Sequence, residues 1–232
     1  SHFPRARPIR FRNRKGRLMT EYESQADLIP GAPLETVLST DELNQRPTRP
    51  PDYEAENRVL AALARSLNDS PGTILQTMVD TILDVFGCGS VGISLIRDDA
   101  NRFYWPAVAG VLKAHIGGGT PRQFGPCGDV LDGNDPLLFK HPERRYTYFQ
   151  RVEPPIAEAL LVPFYADGKA VGTIWAIFHD PELRQFDCEH LRMLTSLGGF
   201  ASSAFSVLLS LGKLEMQGKS LRELNGVLLI SS

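Results

Sequence analysis

Apolar positions along this chain change period twice, and the changes lay out its elements. From Glu54 onward, Leu60, Leu63 and Leu67 recur at helical spacing until "NDSPG" interrupts them. Ser70 with Pro71 reads as a fresh helix start, and Ile74, Met78, Ile82 and Val85 then share one face up to Gly87. The spacing predicts two amphipathic helices, or one helix with a jog. In "SVGISLIR" the period drops to two, with Val91, Ile93 and Leu95 on one side. "DDAN" is a turn, and "RFYWPAVAG" is rich in aromatic and β-branched residues, which predicts a hairpin. A second hairpin runs through "AEALLVPFY", the turn "ADGK" and "AVGTIWAIFHD". Between the hairpins, Val111 to Pro155 is long and rich in Gly, Pro and charge, with short elements such as "DVLD" and "PLLF" inside it. A connection of that length in a compact domain carries function or small elements of its own.

The helical period returns at the end. Asp187 is a credible N-cap, and Phe186 and Leu191 stand where a hydrophobic staple places them. Leu194, Leu197, Ala201, Ala204, Leu208 and Leu211 step by three and four residues in turn, the seam of a heptad. The phase then slips, and Leu214, Leu221 and Leu228 carry a seven-residue step onward, diluted by Gly198, Gly199, Gly212, Gly218 and Gly226. One apolar face packed on the domain's own sheet explains the first half. The second half has no sheet left to cover, so the helix is expected to leave the domain and pair with a partner chain. Before Glu54 no period is visible. Residues 1–53 read as an irregular, partly basic arm, in which Arg5, Arg7, Arg10, Arg12, Arg14, Lys15 and Arg17 precede any acidic residue. This gives an α+β domain over 54–211, with the arm before it and a helical extension over 212–232 pointing toward an output domain.

Composition narrows the function classes. Hydrophobic residues make up 42% and charged residues 22%, ordinary for a globular domain, and a net charge of -2 demands neither nucleic acid nor an acidic membrane. The basic start reads either as a solvated linker or as an electrostatic contact. No apolar run approaches the roughly 18 residues that cross a bilayer. Cys88, Cys127 and Cys188 lie far apart, with no CxxC pair and an odd count, which argues against a secreted disulfide framework and for a cytoplasmic location. The chain begins at Ser1, as expected of a processed or excised piece.

Five segments carry a resemblance: "TPRQFGPCG", "HPERRYTYF", "PPIAEALLVPFYADGKAVGTIWAIFHD", "RQFDCEHLRMLTSLGGFAS" and "LRELN". In them the chain resembles a GAF domain, most similar to those in or before bacterial sensor histidine kinases, from about Glu54 to the C-terminus. The resemblance implies a PAS-like antiparallel sheet of five or six strands. Helices would pack on one face, a ligand pocket or its vestige would lie in front, and a long C-terminal signalling helix would follow. It also implies a sensory or regulatory role. The domain would bind an unidentified small molecule, or form a homodimer through its terminal helices, and pass a signal to a covalently linked output domain such as a kinase. No kinase region follows before Ser232, so kinase activity would lie outside this chain, and the chain itself is not expected to be an enzyme.

Chemistry, if the domain carries any, is expected in the insert between the hairpins. "GPCG", Gly125 to Gly128, resembles a segment of the free methionine sulfoxide reductases, which share the GAF fold. A redox enzyme using Cys127 is therefore the alternative function. Sulfoxide reduction needs one thiol to attack and another to resolve the sulfenic acid, yet "YFQRVEPPIAEAL" contains no cysteine and Cys188 lies beyond the second hairpin. A dimerisation module with no ligand is the third reading. Bilin attachment is not expected, since Gly128 and not His follows Cys127. The cyclic-nucleotide signature of the family is incomplete at Gly168-Lys169 and at Phe186, Asp187 and Glu189. His141, His179 and His190 have no metal-ligand spacing, so neither a metal site nor haem is expected. What remains is a pocket lined by Trp105, Phe124, Cys127 and Trp175, with Arg122, His141 and Arg144 as polar or anion-binding contacts. Each also has a structural reading, the tryptophans as core aromatics and the arginines as a solvated turn. A helix starting near Gly128 favours a thiolate at Cys127, but without companion groups that residue reads as a small buried wall of the pocket.

Overall fold

The computed structural model describes residues 10–12, 18–20, 30–69, 71–97, 101–180, 182 and 184–230, with the backbone alone at 10–12, 18–20, 71, 97, 208 and 211–230. The helix start expected at Ser70 and most of the "DDAN" turn lie outside the described residues. So do Arg5, Arg7, Arg14, Lys15 and Arg17 of the basic run.

The two predicted hairpins form the centre of one five-stranded antiparallel sheet. Its strands are β3 (Ser90–Arg97), β4 (Arg102–Gly110), β5 (Leu137–Lys140), β6 (Glu158–Ala166) and β7 (Lys169–Phe178), in the order β4-β3-β7-β6-β5. Strand β7 lies between β3 and β6, pairing Ser94 with Thr173 on one side and Pro163 with Thr173 on the other. The alternation in β3 sorts its side chains. Val91, Ile93 and Leu95 join a core behind the sheet, while Ser90, Gly92, Ser94 and Ile96 take the opposite, front face.

Three helices fill the back. Helix α1 (Tyr53–Asp69) is capped by Asp52, whose Oδ1 accepts from the Ala55 N–H at 2.8 Å. Helix α2 (Ile74–Phe86) ends on Gly87 at φ 59°, whose N–H returns to the Leu83 carbonyl at 2.9 Å. Ile74, Met78 and Ile82 are all buried, as their spacing predicted. After a short helix in front, α3 (Pro126–Gly133), the chain closes with α4 (Cys188–Ile230), a single helix of 43 residues and about 65 Å. Asp187 caps α4 as expected, Oδ1 accepting from the His190 N–H at 2.9 Å. Leu194, Leu197, Ala201 and Ala204 are buried against the sheet. The side chains of Leu208, Leu211, Leu214, Leu221 and Leu228 lie outside the described residues.

The arm is less separate than its sequence suggests. Arg10–Arg12 (β1) and Leu18–Thr20 (β2) pair as a small antiparallel ribbon. Residues 30–52 form a strap seated on the domain. Val37 and Leu43 are fully buried, one in the front core and one in the back core. Around Leu38 the strap pairs with β5: Ser39 N–H reaches the Leu138 carbonyl at 2.9 Å, and Lys140 N–H reaches the Val37 carbonyl at 2.8 Å. Residues 117–121 do the same for β4, where Trp105 N–H bonds the Gly118 carbonyl at 2.8 Å and Phe103 N–H bonds the Thr120 carbonyl at 2.9 Å. A Cβ at Gly119 would lie 1.9 Å from the Phe103 carbonyl oxygen, so this close approach requires glycine. Both outer strands of the sheet are thereby covered by the chain itself.

One buried ion pair locks the strap. Glu158, 2% exposed at the start of β6, accepts from Arg46 Nη2 at 2.6 Å and from Nη1 at 3.0 Å. Its Oε2 also accepts the Phe186 N–H at 3.0 Å, and Arg46 Nη1 donates to the Phe186 carbonyl at 2.6 Å. Four groups thus satisfy one another away from water. Arg46→Ala is expected to leave Glu158 buried and uncompensated and to lower the unfolding free energy by about 3 kcal/mol, read as a shift in the urea midpoint. Replacing Arg46 and Glu158 together with apolar residues should recover part of that loss.

Candidate functional site

The front face is assembled from three strands and α3. Ser94 on β3 and Thr173 and Trp175 on β7 point forward beside Trp105 of β4. Helix α3 begins with Pro126 after an extended Gly125, which lowers Cys127 onto the sheet. A Cβ at Gly128 would stand 2.3 Å from the Arg122 carbonyl oxygen, so this close approach of loop and helix requires glycine. Ser94 Oγ is the hub: the Trp175 indole N–H donates to it at 3.0 Å and the Cys127 Sγ lies at 3.4 Å. Trp105 meets Trp175 edge to face, with centroids 6.1 Å apart. Phe124 stands edge-on to Tyr146 at 5.5 Å and to Tyr148 at 5.9 Å. The Tyr146 hydroxyl donates to Asp129 of α3, whose carboxyl burial pushes above the usual range.

Four of the expected pocket residues, Trp105, Phe124, Cys127 and Trp175, therefore share one front layer. They pack tightly, with Phe103, Val130, Phe139 and Tyr146 buried among them. Polar atoms of this layer, Trp105 Nε1 and Thr120 Oγ1 among them, are buried without a hydrogen-bond partner among the described residues. Arg122 and His141 are not part of it. Arg122 staples the outside of α3, paired with Asp132 at 2.6 Å and bonded to the Gly128 carbonyl, with its guanidinium over the Phe103 ring. His141 is half-exposed and faces Glu143. Arg144 is exposed, and its carbonyl accepts the Ala32 N–H of the strap. Ser94, Thr173 and Thr120 were missed, although the two-residue period of β3 and β7 places Ser94 and Thr173 opposite the apolar back face.

Burial decides the character of Cys127. Desolvation pushes its thiol above the usual range, only partly offset by the Ser94 and Thr173 hydroxyls, and it outweighs the lowering expected from the helix terminus. The other thiols are not companions to it. Cys88 is in the back core, with its thiol pushed up to about 12 by burial, and Cys188 packs against that same core. Among the described residues no group of three or more His, Cys, Asp or Glu is placed to hold a metal ion.

A second polar centre lies at the root of α4. His190 is buried among the rings of Phe86, Phe178 and Phe186, which meet it edge-on at 5.0, 6.0 and 5.4 Å. Arg49 of the strap places Nη2 2.9 Å from Nε2, and Asp187 places Oδ1 2.7 Å from Nδ1. Arginine can only donate, so Nε2 accepts and Nδ1 carries the proton. Burial lowers the imidazole pKa to about 4 in spite of Asp187. A cleft of about 120 Å³ opens beside it, lined by Arg49, Val85, Phe86, Glu189 and Met193.

The order of the strands, the helices behind them and the short helix closing the front define an α+β module with one long terminal helix. The sequence model of the GAF domain matches residues 68–206, more than half of the chain, and the chain belongs to the GAF domain family. Solved structures agree on the fold. The GAF domain of an Acinetobacter phosphoenolpyruvate-protein phosphotransferase superimposes with a TM-score of 0.59 at 17% identity, over 68% of this chain and 94% of that one. The free methionine-R-sulfoxide reductase of Neisseria meningitidis, in complex with its substrate, gives 0.54 at 17% identity, over 71% and 97%. The second GAF domain of DevS from Mycobacterium smegmatis gives 0.52 at 20% identity, over 62% and 99%. No curated protein matches the chain.

Two measurements check this description. Under native conditions a thiol reagent is expected to label Cys188 first, with Cys127 and Cys88 reacting only on unfolding; rapid selective labelling of Cys127 would contradict the burial argument. For His190, the folded state resists the proton that the unfolded chain takes up below pH 6.5. Its contribution is therefore intact above pH 6.5 and declines by up to about 3 kcal/mol as pH falls toward 4. Hydrogen bonds from Arg192 hold Glu56 and Glu189 below the usual carboxylate range and add losses of the same sign at lower pH. Chemical denaturation between pH 7 and 4 should show the decline, flattened in His190→Gln.

Proposed function

We propose that this chain is a non-catalytic, cytoplasmic regulatory GAF domain. It forms a homodimer through α4 and passes a change in its front layer to an output domain, of the sensor-kinase type, joined to it outside this chain. The observation that carries the reading is α4 itself. It is rooted on the sheet by Asp187 and Leu194 to Ala204, then continues as one helix to Ile230. Val207 and Leu209 are exposed on it, and the seven-residue leucine step runs onward. A helix with an apolar seam that has left its own core is stabilised by pairing. The input is a compact small molecule. Trp105 Nε1 and Thr120 Oγ1, both donors, favour one that carries a hydrogen-bond acceptor. The dense packing of the front layer supports a second reading, a dimerisation module with no ligand. Sulfoxide reduction through Cys127 is not favoured, since Cys88 and Cys188 lie with the back core, across the sheet.

Light scattering is expected to give a dimer that becomes monomeric when residues 212–232 are removed. A monomer with α4 intact would count against the reading. Native mass spectrometry and an absorbance spectrum of protein purified from its own host should show a retained small molecule, and its absence would favour the ligand-free module.

A further inference from the structure

The turn joining β6 to β7 touches both α3 and α4. At Phe164/Tyr165 the ladder is interrupted by a bulge, which turns the Tyr165 N–H out of the sheet. That N–H donates to Ser202 Oγ of α4 at 3.0 Å, and two residues on the Asp167 N–H donates to Ser206 Oγ at 3.2 Å. Ser202 and Ser206 are one helical turn apart, so both hydroxyls face the hairpin. Ser202 also donates to the Gly198 carbonyl at 2.7 Å, which fixes the direction of its lone pairs. At the other end of the same residue, the Tyr165 phenol donates to Asn134 Oδ1 at 2.9 Å. Asn134 is the left-handed C-cap of α3, φ 53°, the helix that holds Cys127 and Val130 in the front layer.

The tip has room to move. Asp167 and Gly168 form its turn with φ 50° and 74°, and a cleft of about 190 Å³ opens between the tip and α4, lined by Tyr165, Asp167, Gly168, Ser202, Ser203 and Ser206. Two hydrogen bonds cross this cleft, both to serine hydroxyls of α4. A shift of α3 therefore pulls on the tip through the phenol and reaches α4 at two points of known register.

We propose that the β6–β7 tip is the coupling element between the front layer and α4, with Tyr165 as its positioning residue, joining the α3 cap to the Ser202/Ser206 pair. This rests on the reading of the domain as regulatory and names the route that regulation takes. It supplies the physical link that a two-site coupling requires, one element held by both sites.

The test reads amide hydrogen exchange along the full chain. Val130→Ala loosens α3 in the front layer without touching α4. In the otherwise unaltered protein it is expected to raise exchange in residues 202–210 by about threefold, the scale set by one exposed hydrogen bond. With Tyr165→Phe as background, Val130→Ala should still raise exchange in α3 but leave 202–210 unchanged, and Asn134→Gly should act as Tyr165→Phe does. An equal rise at 202–210 with and without the phenol, or no rise in either, overturns the proposal. Leu131→Ala serves in place of Val130→Ala if that variant does not fold. Light scattering on the same samples separates the two ideas: a monomeric chain would defeat the dimeric reading while leaving the exchange comparison valid.

Discussion

The buried pair of Arg46 and Glu158 is the constraint on which the rest of the molecule turns. A carboxylate at the first position of β6 cannot remain charged in the core without a partner, and the partner comes from outside the repeating elements. Because Arg46 also binds the Phe186 carbonyl, and Glu158 the Phe186 N–H, three pieces of chain meet at one point: the strap, the central sheet and the segment leading into α4. Arg49 repeats the arrangement one step on, at Asp187 and His190. The segment leading into α1 and the first turn of α4 are thus fixed to each other before either helix begins.

That arrangement leaves the two faces of the sheet with different characters. The back is an apolar core under three helices. The front is a layer of aromatic rings around a small polar centre, Ser94, Thr173 and Cys127, roofed by one short helix. The back therefore carries most of the stability, while the front contains the atoms whose hydrogen bonding is incomplete. Fold does not decide function here, since the solved structures that share it include a free methionine-R-sulfoxide reductase and the GAF domain of a phosphoenolpyruvate-protein phosphotransferase. The thiol at the centre of the front layer has no second thiol beside it, since Cys88 and Cys188 lie with the back core.

The parts legible in the sequence are those set by local chemistry. Both hairpins, α2 and the Asp187 cap of α4 follow from periods and caps that span only a few residues. The association of Trp105, Cys127 and Trp175 followed from the order of the elements. The strap was not legible, because Val37 and Leu43 are single apolar anchors with no period between them. Its ion pair joins residues 112 apart, and no local rule links them. The place of Arg122 was not legible for a related reason. Its acidic partner, Asp132, lies across α3 and draws the guanidinium to the outside. His141, in the left-handed region at φ 48°, caps a turn at the end of β5.

The covered sheet margins have a consequence for crowded settings. An open β edge invites cross-chain strand addition, the first step toward fibres. In this molecule the strap pairs with one outer strand of the five-stranded sheet and the glycine-rich return with the other, so part of each margin is already occupied. Where copies are held close together, these covered margins disfavour edge-to-edge growth of the sheet.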